Sequence, residues 1–473
     1  MKRRSNRIHR VSALAGAALL GATAVHAAPV PAPAAPANPL SLAGGALTFD
    51  LEGRWRMEAR SNTFDFNSGA RALTDDEFLL ERLRIGLLYK PCAGFKLYVQ
   101  GQDSREFFSK RPDIPTALGA EGNDAFDLRQ AWMEFGDAKA YPLTLKIGRQ
   151  PLAYGDERLL GGFEWNNVAR TFDAAKLRWE EKTWALDAFA GSVVDVSDVG
   201  QFDQSDLFNG REKHRDEVLS GLYGTTTALG PQTTDLYVLH LHQELAGGNT
   251  NFFTLGTRMR SKPGAFSTVM VEGKKKPVGF DYSGEFAFQT GKLNKSGVVR
   301  DLQAYALNAG GGYAFDVAGT PRVGVAYSYA TGDKNSADAS WDGFQNLYPT
   351  NHKFYGQMDV FSWQNMHDLE ANFKVSPSKS VTLKSEVHAF WLATNKDAWY
   401  RANGTTAVRP LNAAAKAANS FAGAEADFTA TWSVSKPVQV EAGYSHFFAG
   451  SYLKGTGAQS DADFTYVQLK VSF

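Results

Sequence analysis

Residues Glu81 to Asp103 read ERLRIGLLYKPCAGFKLYVQGQD. In the first half Leu83, Ile85 and Leu87 alternate with Arg82, Arg84 and Gly86, and the run from Phe95 to Asp103 alternates in the same way. A period of two sends successive side chains to opposite faces of a strand, so each half is a strand with one apolar and one polar side. Pro91-Cys92-Ala93 leaves room only for a tight connection between them.

The pattern runs outward to both ends of the chain. It recurs in Phe49 to Ala59 (FDLEGRWRMEA) and Val438 to Phe447 (VQVEAGYSHF), and no long stretch of helical period competes with it. Strands are predicted at 47–59, 78–90, 94–104, 126–136, 142–149, 171–180, 183–191, 217–224, 233–243, 251–260, 278–289, 302–315, 321–331, 366–375, 380–392, 420–432, 438–447 and 462–473. A soluble sandwich alternates too, so connection length has to decide. Connections after the first, third, fifth and seventh strands are long, about 18 to 25 residues. Those after the second, fourth, sixth, twelfth, fourteenth and sixteenth shrink to about 2 to 6. The tenth connection, Ser261 to Pro277, is irregularly long and the ninth irregularly short.

Short turns at one end, long loops at the other and an even strand count describe an all-β chain. The expected fold is a single transmembrane antiparallel β-barrel of about 18 strands, with short periplasmic turns and long extracellular loops. A sandwich has no reason to segregate its loops this way. The last strand, DFTYVQLKVSF, puts Val467, Leu469, Val471 and Phe473 on one face. Its terminal Phe473 resembles the signal read by the outer-membrane assembly machinery, an expected partner. Tyr89, Phe95, Trp179, Trp184, Phe390 and Trp391 lie near strand ends, where interfacial aromatic girdles are expected.

The N-terminus sets the compartment. Lys2, Arg3, Arg4, Arg7 and Arg10 precede an apolar run from Val11 to Val25, and Val25-His26-Ala27 offers a processing site. Residues 1–27 therefore read as a signal peptide cleaved near Ala27, residues 28–46 as a Pro/Ala-rich linker and residues 47–473 as the barrel, placed in a Gram-negative outer membrane. Beyond the first thirty residues no apolar run of about 18 is present, which excludes a helical membrane protein. Without the signal peptide the chain has 45 basic and 50 acidic residues, so nucleic acid is an improbable partner. The single Cys92 excludes an intrachain disulfide and any cysteine-based metal cluster.

If apolar faces meet lipid, the opposite faces line a lumen. That phase sends Arg54, Arg56, Arg82, Arg84, Lys96, Lys146, Lys176, Arg178, Arg258, Lys384 and Lys470 inward, together with Glu52, Glu58, Asp103, Asp187, Glu285, Glu386 and Glu441. A basic side chain on the lipid face would cost about 2–4 kcal/mol at mid-membrane, which forces this assignment once a barrel is accepted. Such cations either form a ladder of ion pairs or attract anions. No G-x-S-x-G or H-E-x-x-H is present, and His240 and His242 share one strand face without an evident acidic partner, as on a wet barrel wall. Asp333, Asp338 and Asp342 make an oxygen-rich loop stretch of the kind that can take calcium but is usually just solvated. The reading is of a non-enzyme with no cofactor and no metal.

Lys146 to Asp173 (KIGRQPLAYGDERLLGGFEWNNVARTFD), preceded by Asp127 to Phe135 (DLRQAWMEF), resembles the alginate-export family of outer-membrane barrels. Asn346 to Asp359 (NLYPTNHKFYGQMD) and Gly443 to Val471 extend the resemblance. It implies a monomeric eighteen-stranded barrel with an arginine-rich pore passing an anionic polysaccharide. On that basis Arg129, Arg149, Asp156, Arg158 and Arg170 are candidates for the constriction or its loop. Phase puts Arg129 beside Met133 and Phe135, so an inward role requires a bulge. The function expected is passive passage of anionic polysaccharide, acidic oligosaccharides or other small anions. The alternatives are a general or uptake porin without anion preference, or a plugged barrel acting as adhesin or enzyme. Ser192 to Asp216 and Gly332 to Asn365 are long enough to fold inward.

Overall fold

Alternating apolar residues need a partner surface on one side only, and a sheet closed on itself supplies this while leaving no unpaired edge. The computed structural model describes residues 40–69, 75–110, 122–196, 202–206, 217–271 and 274–473; the expected signal peptide and most of the expected linker lie outside the described residues. Eighteen strands form the wall: β1 (Leu47–Ser61), β2 (Asp75–Cys92), β3 (Phe95–Phe107), β4 (Asp124–Phe135), β5 (Leu143–Gln150), β6 (Phe172–Glu180), β7 (Trp184–Asp195), β8 (Glu217–Thr226), β9 (Gln232–Gln243), β10 (Thr250–Ser261), β11 (Lys274–Lys295), β12 (Val298–Ala314), β13 (Arg322–Ala330), β14 (Met366–Ser378), β15 (Val381–Leu392), β16 (Phe421–Ser433), β17 (Val438–Ala449) and β18 (Ala462–Ser472). Each pairs antiparallel with its neighbours in sequence, and β1 pairs with β18 from Glu52 opposite Ser472 to Ser61 opposite Asp463, which closes the barrel.

The faces separate as the alternation requires. Leu83, Ile85, Met57, Leu236, Leu369, Val467 and Leu469 are exposed on the outside, whereas Arg54, Arg56, Arg82, Arg84, Asp187, Glu285 and Asp368 are buried on the inside. Asp103 departs from the expected phase. Gln100, Gln102 and Ser104 are the inward residues of β3, so Asp103 faces out near the strand's far end, where Arg105 neutralises it at 2.5 Å. His240 and His242 also lie on the outer face, because Leu239 and Leu241 occupy the inner one; His240 bonds Asn251 and stacks on Phe253. Phe390 is no girdle residue. It is fully buried inside, stacked on Phe361 with ring centroids 4.2 Å apart.

Connections keep the two ends distinct. The end holding 93–94, 181–183 and 379–380 has tight turns, except that Ser267–Val271 folds back on the start of β11 as a small hairpin. At the other end β11 and β12 continue to a two-residue turn at Ser296 and Gly297, both with positive φ (56° and 84°), where a longer loop was expected. That φ pair matches the right-handed twist of the flanking strands. The extension, residues 290–301, carries none of the apolar alternation that marks the wall. The long connections pack on one another inside the mouth, where Phe66, Phe344, Tyr355, Trp363, Trp399 and Tyr452 are buried.

Candidate functional site

The inward guanidinium groups of β1, β2 and β4 converge on one short piece of chain. Arg54 donates to the Glu164 carbonyl at 2.8 Å, to that of Asn166 at 3.2 Å and to Asn167 Oδ1 at 2.9 Å. Arg82 donates to the same Glu164 and Asn166 carbonyls at 3.1 and 3.2 Å, and to Glu52 at 2.7 Å. Arg84 bonds the Glu164 carboxylate at 2.8 Å and Gln102 at 2.6 Å, and Arg129 bonds the other Glu164 oxygen. Arg56 donates to the Trp165 carbonyl at 2.8 Å, pairs with Glu58 and lies 3.6 Å over the Trp165 ring.

Arg129 reaches this cluster through a bulge. Gln100 pairs with Gln130 and Gly101 with Leu128, so Arg129 has no partner across the ladder. The skipped residue reverses the phase of β4, leaving Leu128, Met133 and Phe135 exposed outside and Arg129 buried within.

The connection between β5 and β6 that carries Glu164 also reaches the other side of the wall. Asp156 accepts from Arg258 and Arg260 of β10, each at 2.8 Å, and Arg258 also bonds Asp235 of β9. β1 and β10 are nine strands apart in a ring of eighteen, so residues 156–166 cross the lumen from one wall to the opposite one. Gly155 starts the crossing with φ at +59°, and a Cβ there would lie 3.1 Å from the Arg258 side chain.

A second connection, between β13 and β14, joins the first inside the barrel. Gly161 N donates to the Tyr348 carbonyl, Tyr348 N to that of Leu159 and Thr350 N to that of Glu157, at 2.8 to 2.9 Å. Arg158 bonds Tyr355 at 3.1 Å and packs 3.8 Å over the Phe354 ring, and Arg170 holds the Pro349 carbonyl at 2.9 Å. Of the two stretches expected to fold inward, Gly332 to Asn365 does so; Ser192 to Asp216 includes residues outside those described.

Charge on this crossing is strongly perturbed. Burial would raise the Glu164 carboxyl, but Arg84, Arg129 and Arg82 outweigh it and hold the group well below the usual range; about half of its side-chain surface still opens to the lumen. Asp156 is likewise held low, by Arg258, Arg260 and Arg158 against the effect of burial. Burial brings Arg170 down to about 10, with Tyr348 and Glu157 opposing it.

The other predicted cations are each engaged elsewhere. Arg149 pairs with Asp173 at 3.0 Å, Arg178 with Asp187 at 3.0 Å and Glu180 at 2.8 Å, and Lys384 with Glu386 at 2.6 Å. Lys146 sits 3.7 Å over the Trp132 ring. Sequence reasoning named the arginines and missed what they hold: Glu164, Trp165 and Asn166 serve largely through main-chain carbonyls, which every residue possesses.

A protein-family model described as alginate export matches residues 46–467. Solved structures of similar fold include Pseudomonas aeruginosa OccD3 (OpdP), 10% identical over 92% of both chains with a TM-score of 0.56. They also include P. aeruginosa OccK9 (OpdG), 12% identical over 90% of this chain and 98% of that one, TM-score 0.58. A third, P. aeruginosa OpdK with vanillate, is 11% identical over 90% and 98%, TM-score 0.56. At such identity the likeness is one of fold. No curated protein matches the chain.

Proposed function

Since this chain belongs to the alginate-export family and is an outer-membrane β-barrel channel, we propose that it passes anionic polysaccharide, acidic oligosaccharides or other small anions along an arginine-lined path gated by residues 156–166. The observation that carries this reading is the cluster of Arg54, Arg82, Arg84 and Arg129. Among the described residues their carboxylate partners are Glu52 and Glu164; the remaining acceptors are neutral carbonyl and amide oxygens. Lys470 adds a further cation at 2.9 Å from Glu52.

Positive charge therefore exceeds negative where the loop docks. Guanidinium forks suit carboxylates, so an acidic sugar can take the donors that Glu164 and the loop carbonyls occupy when the loop is down. Passage then needs weak, repeated contacts along the wall rather than one deep site. Signal-peptide cleavage near Ala27, assembly through Phe473 and a monomeric state complete the proposal.

A second reading, a porin without anion preference, is favoured by the pairing of Arg149, Arg178, Arg258 and Lys384 with carboxylates, which leaves those stretches of wall near neutral. Planar-bilayer recording of the purified mature chain under a KCl gradient separates the two. Anion preference that falls when Arg82 and Arg84 become Ala, and not when Arg178 does, supports the arginine path. An open channel with cation or no preference leaves the general porin.

A further inference from the structure

Away from the arginine cluster, three adjacent strands bring acids and a histidine together inside the barrel. β14 carries Asp368 and Glu370, β15 carries Glu386 and His388, and β16 carries Glu425 and Asp427, all at alternate positions that face inward. The register sets Glu370 opposite His388, His388 opposite Glu425 and Glu386 opposite Asp427. One ligand atom each from Glu386, His388 and Asp427 lies within 4.8 Å of the others, and the same holds for Asp368, Glu370 and His388.

A second observation turns this cluster into a site. Asp427 is only 3% exposed, yet neither of its carboxylate oxygens has a partner at hydrogen-bonding geometry, and Oε2 of the fully buried Glu425 has none either. Buried carboxylate oxygens without partners demand a cation or a proton. Neither Lys384, which bonds Glu386 at 2.6 Å, nor Arg158, which bonds Tyr355, is hydrogen-bonded to Asp427. His388 Nδ1 bonds Asp368 at 3.0 Å, which leaves Nε2 as the nitrogen that can coordinate a metal, with loss of its proton if the ring is charged beforehand.

We propose that this wall binds a divalent first-row transition-metal ion of the zinc class through His388, Glu386 and Asp427, with Asp368 orienting the histidine from behind. A nitrogen in the donor set favours such an ion over calcium, which takes six to eight oxygens. The site lies against the second inward connection, since Met358 N donates to Glu425 at 2.9 Å and a Cβ at Gly356 would collide with the Glu425 carboxylate. Bound metal would thus stiffen the wall on which that connection rests.

The test uses the full mature barrel in detergent, stripped with EDTA, equilibrated with zinc alone, and analysed for metal per chain and for affinity by competition with a chromophoric chelator. Folding of each variant is checked by heat-dependent gel migration. The expected result is one zinc per chain, with affinity falling roughly tenfold or more in Asp427→Asn and His388→Gln and unchanged in His446→Gln, which alters a histidine near the mouth. Asp427→Asn keeps the side-chain shape and serves if His388→Gln misfolds. Cobalt substitution gives a second readout, a visible absorption band lost in Asp427→Asn. No retained zinc, or equal retention in wild type and Asp427→Asn, overturns the site; so does an infrared band of a protonated carboxyl at neutral pH that persists with zinc present. Ion selectivity plays no part in these readouts, so the channel reading and the metal site stand or fall separately.

Discussion

Glu164 meets Arg84 and Arg129 through its carboxylate, while its carbonyl meets Arg54 and Arg82, so one residue touches all four arginines and offsets part of their charge. Changing Glu164→Gln keeps the carbonyl contacts and removes the charge. The expected outcome is a reversal potential shifted toward anions in bilayer recording, with more frequent opening because the loop loses its ionic anchor. The pH dependence follows from the depressed carboxyl. A group whose folded pKa lies below its free value of about 4.3 contributes fully above that value and loses its contribution as pH falls through the lower one. Conductance should therefore be flat from pH 7 to about pH 5 and rise only in stronger acid. A rise centred near pH 6 would place the gate on another group. On the outer face, Ile85→Arg puts a cation into the apolar run of β2, and urea titration in lipid vesicles should show a loss of about 2–4 kcal/mol if the residue lies at mid-membrane.

Single elements show how far the alternation carried and where it stopped. β2 was legible because Leu83, Ile85 and Leu87 mark one face without interruption, and the phase that sent Arg82 and Arg84 inward follows from those three residues. Arg129 was not legible by phase, since a bulge leaves no mark in a period-two count; the motif, and not the alternation, pointed to it. The upper parts of β11 and β12 escaped notice for a different reason: residues 290–301 carry no period-two alternation of apolar side chains. His388 escaped because its neighbours Asp368, Glu386 and Asp427 sit on separate strands, and only the register makes them adjacent. The segment before Gln204–Ser205 offers a second pH test. Asp203 is buried beside Asp124 and Asp127, and burial, reinforced by these two, pushes its carboxyl up to about 8. For a raised acid the contribution is full below the free value of about 3.9 and is lost as pH climbs through the folded one. The Asp203 amide, which donates to Asp127 at 2.9 Å, should thus exchange faster above pH 8 than intrinsic rates predict, and Asp203→Asn should flatten that dependence.

At the level of the whole barrel, closure depends on the last strand meeting the first. Phe473 N and O both bond Leu51, which extends the β1–β18 seam to the terminal residue. Deleting Phe473 should slow assembly, seen as a smaller heat-shifted fraction on gels at early times after refolding into vesicles, with little effect on the conductance of barrels that do form. The crossing chain has a different kind of consequence. It is fastened to β10 through Asp156 and to β1, β2 and β4 through Glu164 to Asn167, which makes it a tie-rod across a hollow tube. A tube without a tie can flatten freely into an oval; one with a tie resists along that diameter and yields along the perpendicular one. Any distortion that lengthens the tied diameter pulls on the same ion pairs that hold residues 156–166 across the lumen, so the roundness of the wall and the position of that chain are a single mechanical variable.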